Sequence, residues 1–294
     1  MGLTSRLAKL RRRARFLGST VAYARRSPPL PASGPLVTVV IPTYNWSQVL
    51  RYSIRTALWQ TYSNIEVLVV GDACTDDSEQ VVASFGDVRV RWHNLTENSG
   101  SQAGPNQAAL ELARGDYIAY LGHDDVWLPT HLAWLMDGVA RTSSRLAHTL
   151  TEWIGPDGRY RAIGIAPISS YLHETKLGCA TGWRDYRAIV PGPDYDFIER
   201  AHAAAGTLTI PTLTVFKFPS AWRKNSYVER PSHEQASYVR RIESERGFIY
   251  RELLAIAVSR LREGDEPSLP IEHSPDPNLP GWRVTQYRRA RGLE

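Results

Sequence analysis

The first half of the chain alternates short apolar runs with segments of helical periodicity, and this alternation constrains the fold more than any other feature. Runs rich in β-branched residues predict buried strands at Leu36–Ile41, Ile65–Val70, Val88–Trp92 and Tyr117–Leu121. Between them, spaced apolar residues predict helices at Trp46–Trp59, Asp76–Phe85 and Gln102–Ala113. Strands that alternate with helices form parallel sheets with right-handed crossovers, so we predict an α/β fold with a mostly parallel sheet.

The second half has a weaker pattern. Two strands, Leu146–Trp153 and Tyr160–Ile165, are predicted around a turn at Gly155–Gly158. Helices are predicted at Asp194–Gly206 and Glu234–Arg246. The stretch Gly264–Glu294 is polar and rich in proline, so we predict a tail that is ordered only where it packs back onto the body.

The net charge of +5 is concentrated at the amino terminus. Residues 1–33 carry eight Lys and Arg and no acid, which leaves 27 basic against 30 acidic residues in the remainder. Apolar residues three and four apart predict an amphipathic helix in this basic arm, followed by a proline-rich linker at Ser27–Pro35. The arm either lies on an anionic membrane surface, docks on the body or on a partner, or is disordered. Nucleic acid is disfavoured as a partner, because no basic surface continues after residue 33.

Cysteine content and hydropathy indicate the compartment. The two cysteines, Cys74 and Cys179, are far apart and lack metal-type spacing, which fits a reducing environment. The sequence has neither a stretch of transmembrane length nor a signal-peptide pattern. We therefore expect a cytoplasmic protein that is peripheral to the inner face of the plasma membrane if the basic arm binds there.

Polar clusters follow three of the predicted strands, at Pro42–Asn45, Gly71–Asp77 and Gly122–Asp125. The carboxyl ends of parallel strands meet at one edge of a sheet, so Asp72 and Asp125 should lie together there. Adjacent carboxylates such as Asp124 and Asp125 suit Mg²⁺ or Mn²⁺ on a substrate phosphate. No GxGxxG or GxxxxGK[ST] motif is present, which disfavours dinucleotide-dependent dehydrogenases and P-loop NTPases.

In their order and spacing these motifs resemble the nucleotide-binding half of family 2 glycosyltransferases, which have the GT-A fold. The segments that carry the resemblance are VVIPTYN, VVGDACTD, NSGSQAGPNQAALELARGDYIAYL and GHDDVWLP, all between Val37 and Leu132. Two acids of the family pattern are glycines here, Gly71 and Gly122. The resemblance implies a Rossmann-like sheet flanked by helices, with a smaller mixed half that binds the acceptor.

The resemblance also implies roles for particular residues. The donor nucleotide would lie against Pro42, Thr43, Tyr44 and Asn45. Asp72 would bind the base or ribose, and Asn106 would shape the nucleotide-sugar pocket. Asp124 would face the ribose or sugar, while Asp125 would hold Mn²⁺ or Mg²⁺ on the diphosphate in a DXD-type site.

In the second half, Asp194 matches the position of the family's general base, and Pro193 replaces the preceding glutamate. Asp194 is either that base or a helix cap, and Asp196 lies two residues further on. Trp183 is either a wall for a sugar or a core tryptophan. His173 is either an acceptor contact or metal ligand, or a structural residue. The basic and aromatic residues Lys217, Trp222, Arg223 and Lys224 form either a lid over the diphosphate or a surface turn.

The predicted function is inverting, metal-dependent transfer of a sugar from a UDP-, GDP- or dTDP-sugar to a hydroxyl acceptor. The basic arm suits a lipid-linked acceptor, such as a cell-envelope or exopolysaccharide precursor. A nucleotidyltransferase is disfavoured because PTYNWSQ lacks a basic glycine-rich loop. A non-catalytic nucleotide-sugar-binding or scaffold protein stays open, because Gly71, Gly122 and Pro193 replace family acids. The predicted regions are the arm at 1–33, the donor half at 34–137, the acceptor half at 138–263 and the tail at 264–294.

Overall fold

A computed structural model describes residues 34–156, 158, 160–164, 168–229, 233–263, 276 and 278–294, together with residues 18, 21, 22 and 26. Its strands are β1 (Val37–Thr43), β2 (Ile65–Gly71), β3 (Val90–Asn94), β4 (Tyr117–Tyr120), β5 (Val126–Trp127), β6 (Leu146–Ile154), β7 (Arg161–Gly164), β8 (Tyr171–Glu174) and β9 (Leu208–Lys217). Its helices are α1 (Ser47–Leu58), α2 (Ser78–Ala83), α3 (Ala103–Leu112), α4 (His131–Thr142), α5 (Thr175–Thr181), α6 (Pro193–Ala205), α7 (Ser226–Glu229), α8 (His233–Ser244), α9 (Phe248–Glu263) and α10 (Trp282–Arg291).

The strands form one mixed sheet in the order β3-β2-β1-β4-β8-β6-β9-β5, with β7 paired to β6. The first four of these strands in sheet order are parallel, with Val39 opposite both Val67 on β2 and Ala119 on β4. Strand β8 then pairs antiparallel with β4 and β6, and β9 runs parallel to β6. The sequence prediction of an α/β fold with a mostly parallel half and a smaller mixed half is confirmed.

Both faces of the parallel strands are covered by helices. Along β1, Val39 and Ile41 belong to one apolar core with Leu50 and Ile54 of α1, whereas Val40 belongs to a second core with Leu110 of α3. Successive side chains of a strand point to opposite faces, so a run of apolar residues is buried on both sides. This is why the β-branched runs of the sequence form central strands.

The second half adds elements that the sequence pattern did not predict. They are the strands β8 and β9 and the helices α5, α7, α9 and α10, the last of them inside the predicted tail. Strand β5 and helix α4, which precede them, were not predicted either. Helix α10 begins after Gly281, whose N–H donates to the Ile189 carbonyl at 2.9 Å, and Asn225 N–H donates to the Ala290 carbonyl at 2.9 Å. The part of residues 264–294 that the structure describes therefore packs back onto the body. None of the described helices has the length and apolar character that a bilayer-spanning segment needs.

The predicted basic arm lies almost entirely outside the described residues. Of its described residues, Val21 packs against the third apolar core, which includes Phe216, Phe248 and Leu253. The membrane, docking and disorder interpretations of the arm all stay predictions.

Candidate functional site

A cavity of about 710 Å³ opens at the carboxyl edge of the parallel strands. Pro42, Thr43 and Tyr44 line it at the end of β1, Asp72 lines it after β2, and Asp124 lines it after β4. Asp194 and Tyr195 of α6 line it from the acceptor half. The ligand cleft of open α/β sheets lies at the same edge, because loops from neighbouring strands meet there.

Hydrogen bonds connect the three loops. Asp72 N–H donates to the Thr43 carbonyl at 2.8 Å, and the Thr43 hydroxyl lies 3.0 Å from His123 Nδ1. His123 Nε2 in turn lies 3.0 Å from the Tyr227 hydroxyl. Burial lowers the pKa of His123 to about 4, so its neutral ring connects these loops at neutral pH without adding charge. No sequence pattern predicts this role of His123, because its partners lie 80 and 104 positions away along the chain.

Asp72 faces the cavity with a carboxylate that is almost fully buried. Its Oδ1 accepts a hydrogen bond from Ser99 N–H at 2.8 Å. Burial raises the pKa of Asp72 even though Ser99 acts to lower it. A buried acceptor with free lone pairs suits a ribose hydroxyl or a base N–H.

Three predicted donor residues do not line the cavity. Asn45 accepts hydrogen bonds from Thr75 N–H at 2.7 Å and from Asp76 N–H at 3.3 Å, so it fastens the loop after β1 to the loop after β2. Asn106 is fully buried in α3, and its side-chain amide has no hydrogen-bond partner among the described residues. Trp183 is the third, and its surroundings are those of a core residue.

Trp183 packs in the second apolar core. Its ring stacks on Phe197 with centroids 4.5 Å apart, and its Nε1 donates to the Tyr120 hydroxyl at 3.0 Å. The structure therefore favours the core alternative over a sugar-binding wall, because the ring is buried among apolar partners. His173 is structural for the same reason, since it is fully buried and its Nε2 lies 3.2 Å from the same tyrosine hydroxyl.

The two aspartates at the start of α6 have different surroundings. Asp196 is buried and contacts the guanidinium groups of Arg184 and Arg200. Burial acts to raise the pKa of Asp196, but these two cations hold it below its usual value. Asp194 lines the cavity, and its Oδ1 accepts a hydrogen bond from Tyr195 N–H at 3.1 Å. The N-cap position belongs to Gly192, so Asp194 is in the first turn without being the cap.

The adjacent aspartates after β4 also differ. Asp124 lines the cavity, whereas Asp125 is fully buried behind it. Asp125 Oδ2 accepts a hydrogen bond from the Ser169 hydroxyl at 2.5 Å, and Lys217 Nζ lies 3.1 Å from Oδ2 and 3.3 Å from Oδ1. Burial raises the pKa of Asp125 to about 6, although the charge of Lys217 opposes this rise.

The basic residues of the sequence cluster have separate positions. Lys217 and Trp222 line the cavity, whereas Arg223 forms an ion pair with Glu234 at 2.6 Å. Three further basic residues line the cavity from α10, which sequence analysis placed in a tail. They are Arg283, Arg288 and Arg291, and Arg288 Nη1 donates to the Gly100 carbonyl at 2.9 Å. Only their charge, and no periodic apolar pattern, could have drawn attention to them in the sequence.

The side chains beside Asp125 do not fit a divalent metal. Within the described ranges, no group of three or more His, Cys, Asp or Glu residues is placed to hold an ion. Both oxygens of Asp125 already contact Lys217, and Oδ2 also contacts Ser169. The family pattern has an acid at the position of Gly122, so the second carboxylate of that pattern is absent here. The assignment of Asp125 as a metal ligand therefore stays a prediction from the resemblance, without support from this donor set.

Comparisons with known proteins show which family this chain resembles and which solved structures share its fold. Residues 38–176 match the model of the family described as glycosyl transferase family 2. Over 98 residues the chain is 38% identical to an uncharacterized glycosyltransferase of Rickettsia prowazekii, a match that covers 33% of this chain and 30% of that protein. It is 29% identical over 160 residues to the Escherichia coli UDP-Glc:alpha-D-GlcNAc-diphosphoundecaprenol beta-1,3-glucosyltransferase WfgD, which covers 53% of this chain and 62% of that one. The chain thus spans less than two thirds of either relative.

Solved structures agree on the architecture. Staphylococcus aureus TarS 1-349 in complex with UDP-GlcNAc superposes with a TM-score of 0.56 at 14% identity, over 76% of this chain and 72% of that one. The mannosyltransferase PcManGT from Pyrobaculum calidifontis, in complex with GDP-Man and Mn²⁺, has a TM-score of 0.53 at 16% identity, over 87% and 83%. Residues 38–176 are therefore similar to the family 2 glycosyltransferases, and the fold is of the GT-A type of these solved structures.

Proposed function

We propose that this protein transfers a sugar from a nucleoside-diphosphate sugar to a hydroxyl group of an acceptor, with inversion at the anomeric carbon. The observation that carries the proposal is the convergence of Asp72, Asp124 and Asp194 on one cavity that also holds Lys217 and the arginines of α10. A nucleotide-sugar reaction needs this combination, namely acceptors for the nucleoside and sugar, cations for the diphosphate, and a base for the acceptor.

The nucleoside would lie against Thr43 and Tyr44, with Asp72 accepting a hydrogen bond from the ribose or base. The names of the similar proteins support a uridine nucleotide first, since WfgD uses UDP-Glc and TarS was crystallised with UDP-GlcNAc. GDP- and dTDP-sugars are the alternatives, and PcManGT in complex with GDP-Man supports the former.

The chemical step would be a single displacement. The acceptor oxygen forms a bond to the anomeric carbon as the bond from that carbon to the diphosphate oxygen breaks, and the bonding electron pair leaves with the diphosphate. Asp194 takes the proton of the acceptor hydroxyl, which is worth about 10²–10⁴ in rate for a general base. Basic side chains that line the cavity, such as Lys217 and Arg291, would stabilise the negative charge that develops on the leaving group.

The acceptor would be a lipid-linked glycan of the cell envelope. WfgD is named for an acceptor with a diphosphoundecaprenol group, and another relative in Escherichia coli is a putative colanic acid biosynthesis glycosyl transferase. The eight basic residues among positions 1–33 fit an anionic membrane surface, where such an acceptor is held. This combination supports action at the cytoplasmic face of the membrane in polysaccharide biosynthesis.

A thermal-shift panel of UDP-, GDP- and dTDP-sugars tests donor binding, since a bound ligand stabilises the folded state. The variant Asp72→Asn should weaken binding of the preferred donor about tenfold or more, because a buried hydrogen bond to a charged group is lost. Asp77→Asn is the matched control, since Asp77 is an exposed acid in the same loop.

Release of free nucleotide from the preferred donor separates a transferase from the scaffold alternative. A transferase slowly hydrolyses its donor or transfers the sugar to an added acceptor, whereas a scaffold binds the donor and releases no nucleotide. Absence of binding to every donor would contradict both interpretations of the cavity.

A further inference from the structure

We infer that Asp125 holds the ammonium group of Lys217 beside the donor diphosphate. Lys217 then supplies the positive charge there, and the site binds its nucleotide without a divalent metal. The inference rests on the proposed function and names the cation of the same site. Four observations support it: the position of Lys217, the contacts of Asp125, the space at Gly122 and the charge of the surrounding cavity.

Lys217 lies between Asp125 and the cavity. It is the last residue of β9, and its side chain is 19% exposed, whereas that of Asp125 is 0% exposed. The lining of the cavity includes Lys217, while Asp125 lies behind it. An ammonium group has three N–H donors, and one carboxylate occupies at most two of them. At least one donor is therefore left for a ligand in the cavity.

The contacts of Asp125 leave little room for a metal ion. Its Oδ2 accepts from Ser169 at 2.5 Å and lies 3.1 Å from Lys217 Nζ. Mg²⁺ and Mn²⁺ need oxygen ligands in a regular arrangement around the ion. To bind at Asp125, such an ion would have to displace the partly buried ammonium of Lys217, which would leave that lysine without its charged partner and is costly.

The backbone at Gly122 explains why the family's second acid is absent. A Cβ at this position would lie 2.7 Å from Asp125 Oδ2 and 3.2 Å from its Cγ. The Asp125 carboxylate therefore occupies the space that a side chain at position 122 would need. Gly122 leaves space for the Asp125 carboxylate, and Ser169 and Lys217 both contact that carboxylate. In this arrangement Lys217 takes the place of a carboxylate-bound metal.

The charge of the cavity is consistent with this role. The Lys217 ammonium lies 3.1 Å from Asp125 Oδ2 and lines the same cavity as Asp124. Arg291 lines that cavity from α10. A diphosphate would thus meet Lys217 and Arg291 with both positive charges in place.

The test measures UDP and GDP binding to the full chain by calorimetry, first with EDTA and then with Mn²⁺. We expect the dissociation constant of the preferred nucleotide to differ by less than about threefold between the two conditions, a difference below 1 kcal/mol. Titration of Mn²⁺ alone, followed by electron paramagnetic resonance, should show no stoichiometric site in the absence of nucleotide.

Substitution separates the lysine from other positive charges. Lys217→Met should weaken nucleotide diphosphate binding about tenfold or more in EDTA, because a charge-assisted hydrogen bond is lost, and should leave uridine or guanosine binding unchanged. Lys224→Met, which removes an exposed lysine seven residues further along the chain, is the matched control and should bind like the wild type. If Lys217→Met does not fold, the double variant Asp125→Asn/Lys217→Met removes the buried charges together and should show the same loss.

The outcomes are distinct. The inference would be overturned if the wild type needed Mn²⁺ to bind nucleotide. It would also be overturned if the Lys217→Met variant, or the double variant, bound diphosphates normally in EDTA. Either outcome would leave the proposed function standing. Failure of UDP and GDP to bind under either condition would overturn both. Metal-independent binding that is lost with Lys217 supports the inference.

Discussion

Replacement of Asp194 by asparagine removes the proposed base and leaves its surroundings almost intact. Asparagine has the same shape, and its Oδ1 can still accept the 3.1 Å hydrogen bond from Tyr195 N–H. Burial raises the pKa of Asp194, which means that the ionised carboxylate does not stabilise the folded state. Replacing it with a neutral amide should therefore cost no folding free energy. We therefore expect unfolding free energies within about 0.5 kcal/mol of the wild type.

The loss should be in the chemical step. Removal of a general base costs about 10²–10⁴ in rate, which corresponds to about 2.7–5.5 kcal/mol in the activation barrier. Steady-state transfer assays with the preferred donor should show this fall in kcat, with the donor dissociation constant from calorimetry changed less than about threefold. Glu199→Gln is the matched control, because it removes an exposed carboxylate from the same helix and the same cavity. A kcat for Asp194→Asn within about threefold of the wild type would refute the assignment of this residue as the base.

Two further predictions concern packing and acid stability. Gly122→Ala should lower the unfolding free energy by about 1–3 kcal/mol and should also weaken donor binding. The reason is that the new Cβ would lie 2.7 Å from Asp125 Oδ2 and would push this carboxylate away from its partners. An unchanged denaturant midpoint together with an unchanged donor affinity would contradict this prediction. His131 is fully buried, and burial lowers its pKa to about 3 from a usual value near 6.5. The unfolded chain therefore takes up a proton at this residue between these values while the folded chain does not, so His131 alone should lower the unfolding free energy by up to about 1.4 kcal/mol per pH unit as the pH falls from 6.5 toward 3. Urea unfolding of wild type and His131→Gln at a series of pH values measures this slope, and an equally steep slope in the variant would show that His131 does not cause it.

The sequence by itself predicted the parallel half of the sheet and the edge at which the cavity lies. The buried strands are continuous apolar runs, and a parallel sheet brings their carboxyl ends together, so Asp72 and Asp125 were expected together at one edge. Asp72 lines the cavity at that edge, whereas Asp125 is buried behind it and its neighbour Asp124 faces the cavity instead. These inferences are reliable because they depend on local periodicity and on the order of elements along the chain.

Tertiary structure decided the partners of these residues. Lys217 meets Asp125 across 92 positions, and Arg288 meets Gly100 across 188, distances over which sequence spacing carries no information. The same holds for Asp194 and Asp196, which lie two residues apart: in the folded chain Arg184 and Arg200 bind Asp196, whereas Asp194 faces the cavity. The identity of a charged residue's neighbours sets its protonation and its role, and those neighbours come together only when the chain has folded.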